Sequence, residues 1–135
     1  MVAVRESSIA FDQTCFYPGG GGQPPDNGSV RLQSGEVLEI VSAQADPDDI
    51  IWHHSKSPLP SGFVGQSSKL HLNRERRLAL MRYHTVLHVL NTVALRDYGG
   101  WITGVQIGPD YSRIDFKIEK FSAAMCSELE QKVNA

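Results

Sequence analysis

The chain has 135 residues, enough for one ordinary domain or two very small ones, and 13 basic against 15 acidic residues leave a formal charge of −2. That balance argues against a uniformly basic nucleic-acid binder, and two cysteines are too few for a disulfide framework. No apolar run approaches the roughly 20 residues that span a bilayer, and the opening Met-Val-Ala-Val-Arg-Glu-Ser-Ser lacks a signal-peptide stretch, so a cytoplasmic protein without a membrane segment is expected.

Residues 1–72 read as strands and turns. Residues 8–11 and 14–17 have strand character, and turn formers then crowd together: Pro18, Gly19, Gly20, Gly21, Gly22, Pro24, Pro25, Asp26, Asn27 and Gly28. Residues 29–32 and 36–41 read as strands on either side of Ser34-Gly35, and residues 50–54 and 68–72 are further strands. Short strands with regularly spaced turns predict a small barrel or sandwich.

The pattern changes at Asn73, a helix cap with Glu75 in the turn that follows. No Gly or Pro interrupts residues 74–98, and Gly99-Gly100 stops the helix. Leu80, Leu87, Leu90 and Ala94, with their neighbours, make it apolar round much of its circumference, which predicts a buried central helix. Residues 102–107 and 113–118 read as strands around Gly108-Pro109-Asp110. Ser122 caps a last helix that runs to the end of the chain without a stop signal.

Three features carry possible chemistry. His84 and His88 lie four apart on the long helix, a spacing that sets two imidazoles on one face with Cβ atoms about 5–6 Å apart. They suit a shared Zn²⁺ or mere packing in the core. The zinc-protease pattern fits poorly, because Thr85 stands where its glutamate would be. The run Gly19-Gly20-Gly21-Gly22-Gln23 either lets backbone N–H groups approach a ligand or forms a tight turn; no P-loop Lys follows it. Arg74, Arg76, Arg77 and Arg82 suit phosphates or a solvated helix end. His53, His54 and His71 read as structural or surface residues.

The segment from Phe11 to Pro18, with Gly20-Gly21-Gly22-Gln23 and Asp26-Asn27-Gly28, resembles the glycine-rich motif of alanyl-tRNA editing proteins of the AlaX type and the matching domain of alanyl-tRNA synthetase. Arg82-Tyr83-His84-Thr85-Val86-Leu87-His88 is similar to their metal-binding helix. Trp101-Ile102-Thr103-Gly104 and Arg113-Ile114-Asp115-Phe116 are similar to the strands that follow it. The resemblance runs in order over nearly the whole chain.

The resemblance implies a metal-dependent hydrolase that removes serine or glycine from tRNA(Ala), the editing half of a double sieve. The implied partner is the tRNA(Ala) acceptor end carrying serine or glycine. His84 and His88 would be ligands of one zinc ion. Thr103 would contact the amino acid, and Gly20, Gly21, Gly22 and Gln23 would form a pocket loop. Arg77 and Arg82 would approach the nucleic acid.

The implied architecture is α+β. A small N-terminal β-barrel with the glycine-rich motif, residues 1–72, precedes the first part of an α/β editing domain with the His-x-x-x-His helix, residues 73–135. The family completes its zinc site with a Cys-x-x-x-His pair beyond the second helix. Here Cys126 is followed four residues on by Glu130, and Cys15 belongs to the glycine motif, so neither takes a ligand role. A chain cut short, with an incomplete zinc site, is therefore expected. The alternative is a non-catalytic tRNA-binding module or an inactive fragment.

Overall fold

The computed structural model describes residues 3–62 and 64–135. Two units divide the chain, Met1–Arg77 and Leu78–Ala135. In the first, six short strands occur in chain order: β1 (Ala3–Arg5), β2 (Ser8–Ala10), β3 (Gly28–Leu32), β4 (Val37–Ala45), β5 (Ile51–Ser55) and β6 (Ser68–Leu72). They form one sheet in the order β1-β2-β5-β4-β3-β6, with every pairing antiparallel.

Period-two alternation decides which side of this sheet is covered. Val30 and Leu32 on β3 and Leu38 and Ile40 on β4 are buried, while Arg31, Val37 and Glu39 between them are exposed. The inward set joins Ile9, Phe16 and Ala43 in one core. Gly28 is required by a close approach, because a Cβ there would lie 2.1 Å from the His71 carbonyl oxygen on β6.

The expected closed barrel is not found. Among the described strands none joins β1 to β6, and each of these end strands has a single neighbour. The strand expected at 14–17 is corrected too: this segment belongs to no ladder, and the N–H groups of Phe16 and Tyr17 and the Cys15 carbonyl bond to the side chains of Thr14, Asp26 and Arg77 instead. β1, which the sequence did not announce, pairs with β2 through a turn at Glu6, held at φ 47°.

Helix α1 (Arg74–Tyr98) begins in the first unit and continues into the second. Asn73 caps it, its Oδ1 accepting from the Arg76 N–H at 3.1 Å. Gly99, at φ 61°, and Gly100 close it by donating to the carbonyls of Leu95 and Ala94.

A hairpin of β7 (Trp101–Ile107) and β8 (Ser112–Lys117) follows, then α2 (Ala123–Val133). Ser122 caps α2 as expected, accepting from the Met125 N–H. The expectation that this helix runs to the chain end is corrected: α2 stops at Val133, and the Asn134 N–H closes on the Glu130 carbonyl. Lys132 reaches back to Asp97 at 2.8 Å. Hydrogen bonds from Arg96 and then Lys132 hold the Asp97 carboxyl well below the usual carboxylate range.

The burial of α1 departs from expectation. Leu80 and Leu87 pack with Ile107, while Val93 and Ala94 pack with Leu129. Leu78, Met81, Val86, Val89 and Leu95 stay exposed. The cause is the shortage of covering elements: a two-stranded hairpin and an 11-residue helix cannot wrap a 25-residue one. No helix among the described residues is long and apolar enough to cross a membrane.

Candidate functional site

In the first unit the four glycines form a defined turn. Gly19, Gly20, Gly21 and Gly22 all have positive φ, 57° and 80° at the central pair Gly21-Gly22. Gly20 and Gln23 exchange two backbone hydrogen bonds of 3.0 Å. Positive φ at both central residues makes this the tight hairpin turn that side chains other than Gly, Asn or Asp rarely tolerate. The tip is exposed, while Gln23 is buried. The Tyr17 hydroxyl donates to the Gly20 carbonyl at 2.9 Å and steadies the turn.

The base of the turn is held by an ionic clamp. Asp26, 1% exposed, accepts from the Tyr17 N–H at 2.7 Å and from Arg77, whose Nε lies 2.9 Å from both carboxylate oxygens and whose Nη2 bonds to Oδ2 as well. Arg77 Nη2 also donates to the Cys15 carbonyl at 3.0 Å, and Arg76 donates to the Pro25 carbonyl at 2.8 Å. A bidentate guanidinium–carboxylate pair of this kind is geometrically specific, and it holds Arg77 above its ordinary basicity. Two members of the basic run thus turn inward to the glycine segment.

His53 is a second fixed point that the sequence left as merely structural. It is fully buried, and its Nδ1 lies 3.0 Å from the Ile9 carbonyl oxygen. A carbonyl only accepts, so Nδ1 carries the proton and Nε2 accepts from the Thr14 hydroxyl, 2.7 Å away. That hydroxyl also accepts from the Phe16 N–H. Burial pushes the His53 pKa down, since the charged ring is poorly solvated there. Trp52 and His53 are both buried on β5, so period-two alternation does not single out His53, and its partner Thr14 lies 39 residues away in the sequence.

The second unit holds the other expected residues. His84 and His88 stack on α1 with ring centroids 4.9 Å apart and planes 13° apart. His84 is half-buried and His88 exposed. Thr103 falls at a β-bulge: Ile102 pairs with Phe116 and Gly104 with Asp115, which leaves Thr103 as the extra residue. Bulges re-aim side chains and are frequent beside functional sites. Arg82 is exposed on α1. Tyr83 ties the helix to the hairpin turn through the Asp110 carbonyl at 2.7 Å.

The two imidazoles offer two metal donors. A hydrolytic zinc centre takes three protein ligands and a structural one four. Among the described residues no group of three His, Cys, Asp or Glu is placed to hold a metal ion. The residues present therefore match half of a zinc donor set and do not make a complete centre by themselves.

No family model matches the chain. Individual relatives do. The alanyl-tRNA editing protein AlaX-M of Methanosarcina mazei is 39% identical over 132 residues, covering 93% of this chain and 52% of that protein. Its counterpart in Methanosarcina acetivorans is 35% identical over 132 residues, with 93% and 53% covered. The alanine–tRNA ligase of Methanosphaera stadtmanae is 36% identical over 138 residues, covering 97% of this chain and 15% of the ligase. The chain spans about half the length of the AlaX-M relatives it matches. Glycine turn, paired histidines and bulged hairpin thus follow one another in a sequence related both to free-standing editing proteins and to part of a ligase, and the chain belongs to the AlaX-type alanyl-tRNA editing family.

Proposed function

We propose that this chain is the front part of a trans-editing hydrolase that removes serine or glycine from mischarged tRNA(Ala). The observation that carries the reading is the His84–His88 pair, in a chain whose relatives are named for alanyl-tRNA editing. The reaction is hydrolysis of the ester between the amino acid and the terminal ribose. Water adds to the ester carbonyl, the ester C–O bond breaks, and the products are free amino acid and tRNA with its hydroxyl restored.

Thr103, presented by the bulge, would hydrogen-bond the hydroxyl of a seryl group. Arg82, exposed on α1, is the better candidate for a phosphate contact, because the donors of Arg77 already serve Asp26 and Cys15. The exposed Gly20-Gly21-Gly22 tip, with Gln23, is assigned to amino-acid selection. Zinc belongs to this reading as an ion held by His84, His88 and donors beyond the described residues, and it would supply polarisation of the ester or an activated water.

A second reading, a tRNA-binding module without hydrolysis, is favoured because His84 and His88 are joined by no third metal donor among the described residues. Release of serine from seryl-tRNA(Ala) by the purified chain separates the two. Hydrolysis that disappears in His84→Ala supports the enzyme. Salt-sensitive tRNA retention in a gel shift with no serine released supports the module. Neither binding nor hydrolysis overturns both readings.

A further inference from the structure

The two tryptophans are treated in opposite ways. Trp52 is 6% exposed, its indole N–H donates to Asp46 at 2.8 Å, and the Arg5 guanidinium covers its ring at 4.3 Å. Trp101 is 68% exposed at the start of β7. An indole in water gives up much of the stabilisation that burying its ring would bring. It borders a concave site of about 630 Å³ in the second unit, lined also by Gly99, Lys117, Lys120 and Met125.

The charges around the ring point to a class of ligand. Lys117 is the direct cross-strand partner of Trp101, and side chains so opposed stand about 4.5–5.5 Å apart at Cβ. Lys120 lies on the same rim. Among the described residues neither ammonium is engaged in an ion pair, and Glu119 is the one acidic side chain in the lining. A purely apolar partner would cover the ring but leave both lysines unmatched. A base stacked on the indole, with its phosphates against the lysines, satisfies both features.

We propose that the Trp101–Lys117–Lys120 surface binds single-stranded nucleic acid by stacking a base on Trp101 and neutralising the flanking phosphates. Stacking on an indole and neutralising phosphates do not read base edges, so binding of this kind tolerates sequence and favours unpaired strands. That the strand is the unpaired 3′ end of a tRNA rests on the editing reading above; single-strand binding does not.

Trp101 is its own reporter, because Trp52 is buried and contributes a constant background. The full 135-residue chain is titrated at low salt with an oligoadenylate of about 12 residues, within the usual range of single-strand site sizes. Quenching of the exposed tryptophan emission is expected. Trp101→Leu should weaken binding about tenfold, followed by anisotropy of a labelled strand. Lys117→Ala with Lys120→Ala should weaken it and flatten its salt dependence, and Trp101→Phe should keep part of the affinity. Circular dichroism confirms that each variant is folded.

Absent quenching, equal affinity for a duplex of the same length, or unchanged affinity in Trp101→Leu overturns the proposal. His84→Ala should leave binding intact. Loss of hydrolysis in that variant with retained quenching therefore tests the two ideas separately.

Discussion

The first unit closes its interior with a sheet, a buried histidine and an ionic clamp. The second leaves Met81, Val86, Val89 and Trp101 in water around a two-stranded hairpin. Both contain a segment that the sequence marks as functional, the glycine turn in one and the histidine pair in the other. The difference teaches where rigidity is built into this chain. The Tyr17 hydroxyl bonds to the glycine turn, and the chain beside the turn is tied down at Tyr17 by Asp26 and at Cys15 by Arg77, whereas the paired histidines sit on a helix with one face packed.

The contrast breaks most severely at Gly28. A methyl group there must displace the backbone of β6, so Gly28→Ala should cost about 4 kcal/mol or more, in the class of large effects with a single steric cause. Trp52 lies in the first unit and Trp101 in the second, so urea unfolding of single-tryptophan versions reads each unit in turn. Loss confined to the Trp52 signal is expected. A loss below about 1 kcal/mol would mean that the β3–β6 contact gives way easily.

Asp26→Ala comes next. It leaves Arg77 without its anion and the Tyr17 N–H without its acceptor. Removing one partner of a buried pair costs about 3–5 kcal/mol, and the lower end applies because the Arg77 side chain is 23% exposed. Asp26→Asn, which keeps an acceptor for Tyr17, should recover part of the loss. Equal losses for Ala and Asn would assign the whole effect to charge.

The pH dependence of the first unit sharpens the comparison further. Burial lowers the pKa of His53 below its ordinary 6.5, so below that value the unfolded chain takes up a proton that the folded chain refuses. Stability should fall as pH drops through 6.5 and level off below the folded value. His54 adds a like charge and acts in the same direction. Asp46, held below 3.8 first by the Trp52 N–H, contributes only at still lower pH. Urea midpoints taken at about pH 7.5 and 5.5 should differ for the Trp52 signal, and a flat profile would remove His53 from the account.

Much of the local structure was legible where the sequence carries its own punctuation. Asn73, a run free of Gly and Pro, and Gly99-Gly100 gave α1 its ends, and Ser122 marked the start of α2. Residues 68–72 announced β6 in the same way. What failed depended on partners distant in the chain. Residues 14–17 have the composition of a strand, but their bonds go to His53, Asp26 and Arg77. β1 is three residues long and defined by its pairing with β2. The pairing of Arg77 with Asp26 was not legible because the two lie 51 residues apart. Apolar periodicity marked α1 for burial, yet burial also needs elements to cover it.

A smaller effect is expected where the first unit is locally unfavourable. Arg31 and Lys69 are direct cross-strand partners on β3 and β6, and like charges so opposed destabilise a sheet. Neither forms an ion pair among the described residues. Lys69→Glu should therefore stabilise the first unit by about 0.2–1 kcal/mol, with the gain reduced by added salt. A loss instead of a gain would show that the lysine's aliphatic stem packs on the sheet and outweighs its charge.

The smallest effect should come from the exposed side of α1. Val89 is 42% exposed and Met81 48%, so neither fills a core whose loss would leave a cavity. Val89→Lys, on the helix that carries His84 and His88, should change stability by no more than about 0.5 kcal/mol. The same substitution at Leu87, which is 8% exposed and packs with Leu80 and Ile107, would put an unpaired charge in the interior and cost several kcal/mol. The Trp101 signal reads both variants. If Val89→Lys proves as damaging as Leu87→Lys, then Val89 is covered in solution, and the second unit buries a second face of α1 against a partner.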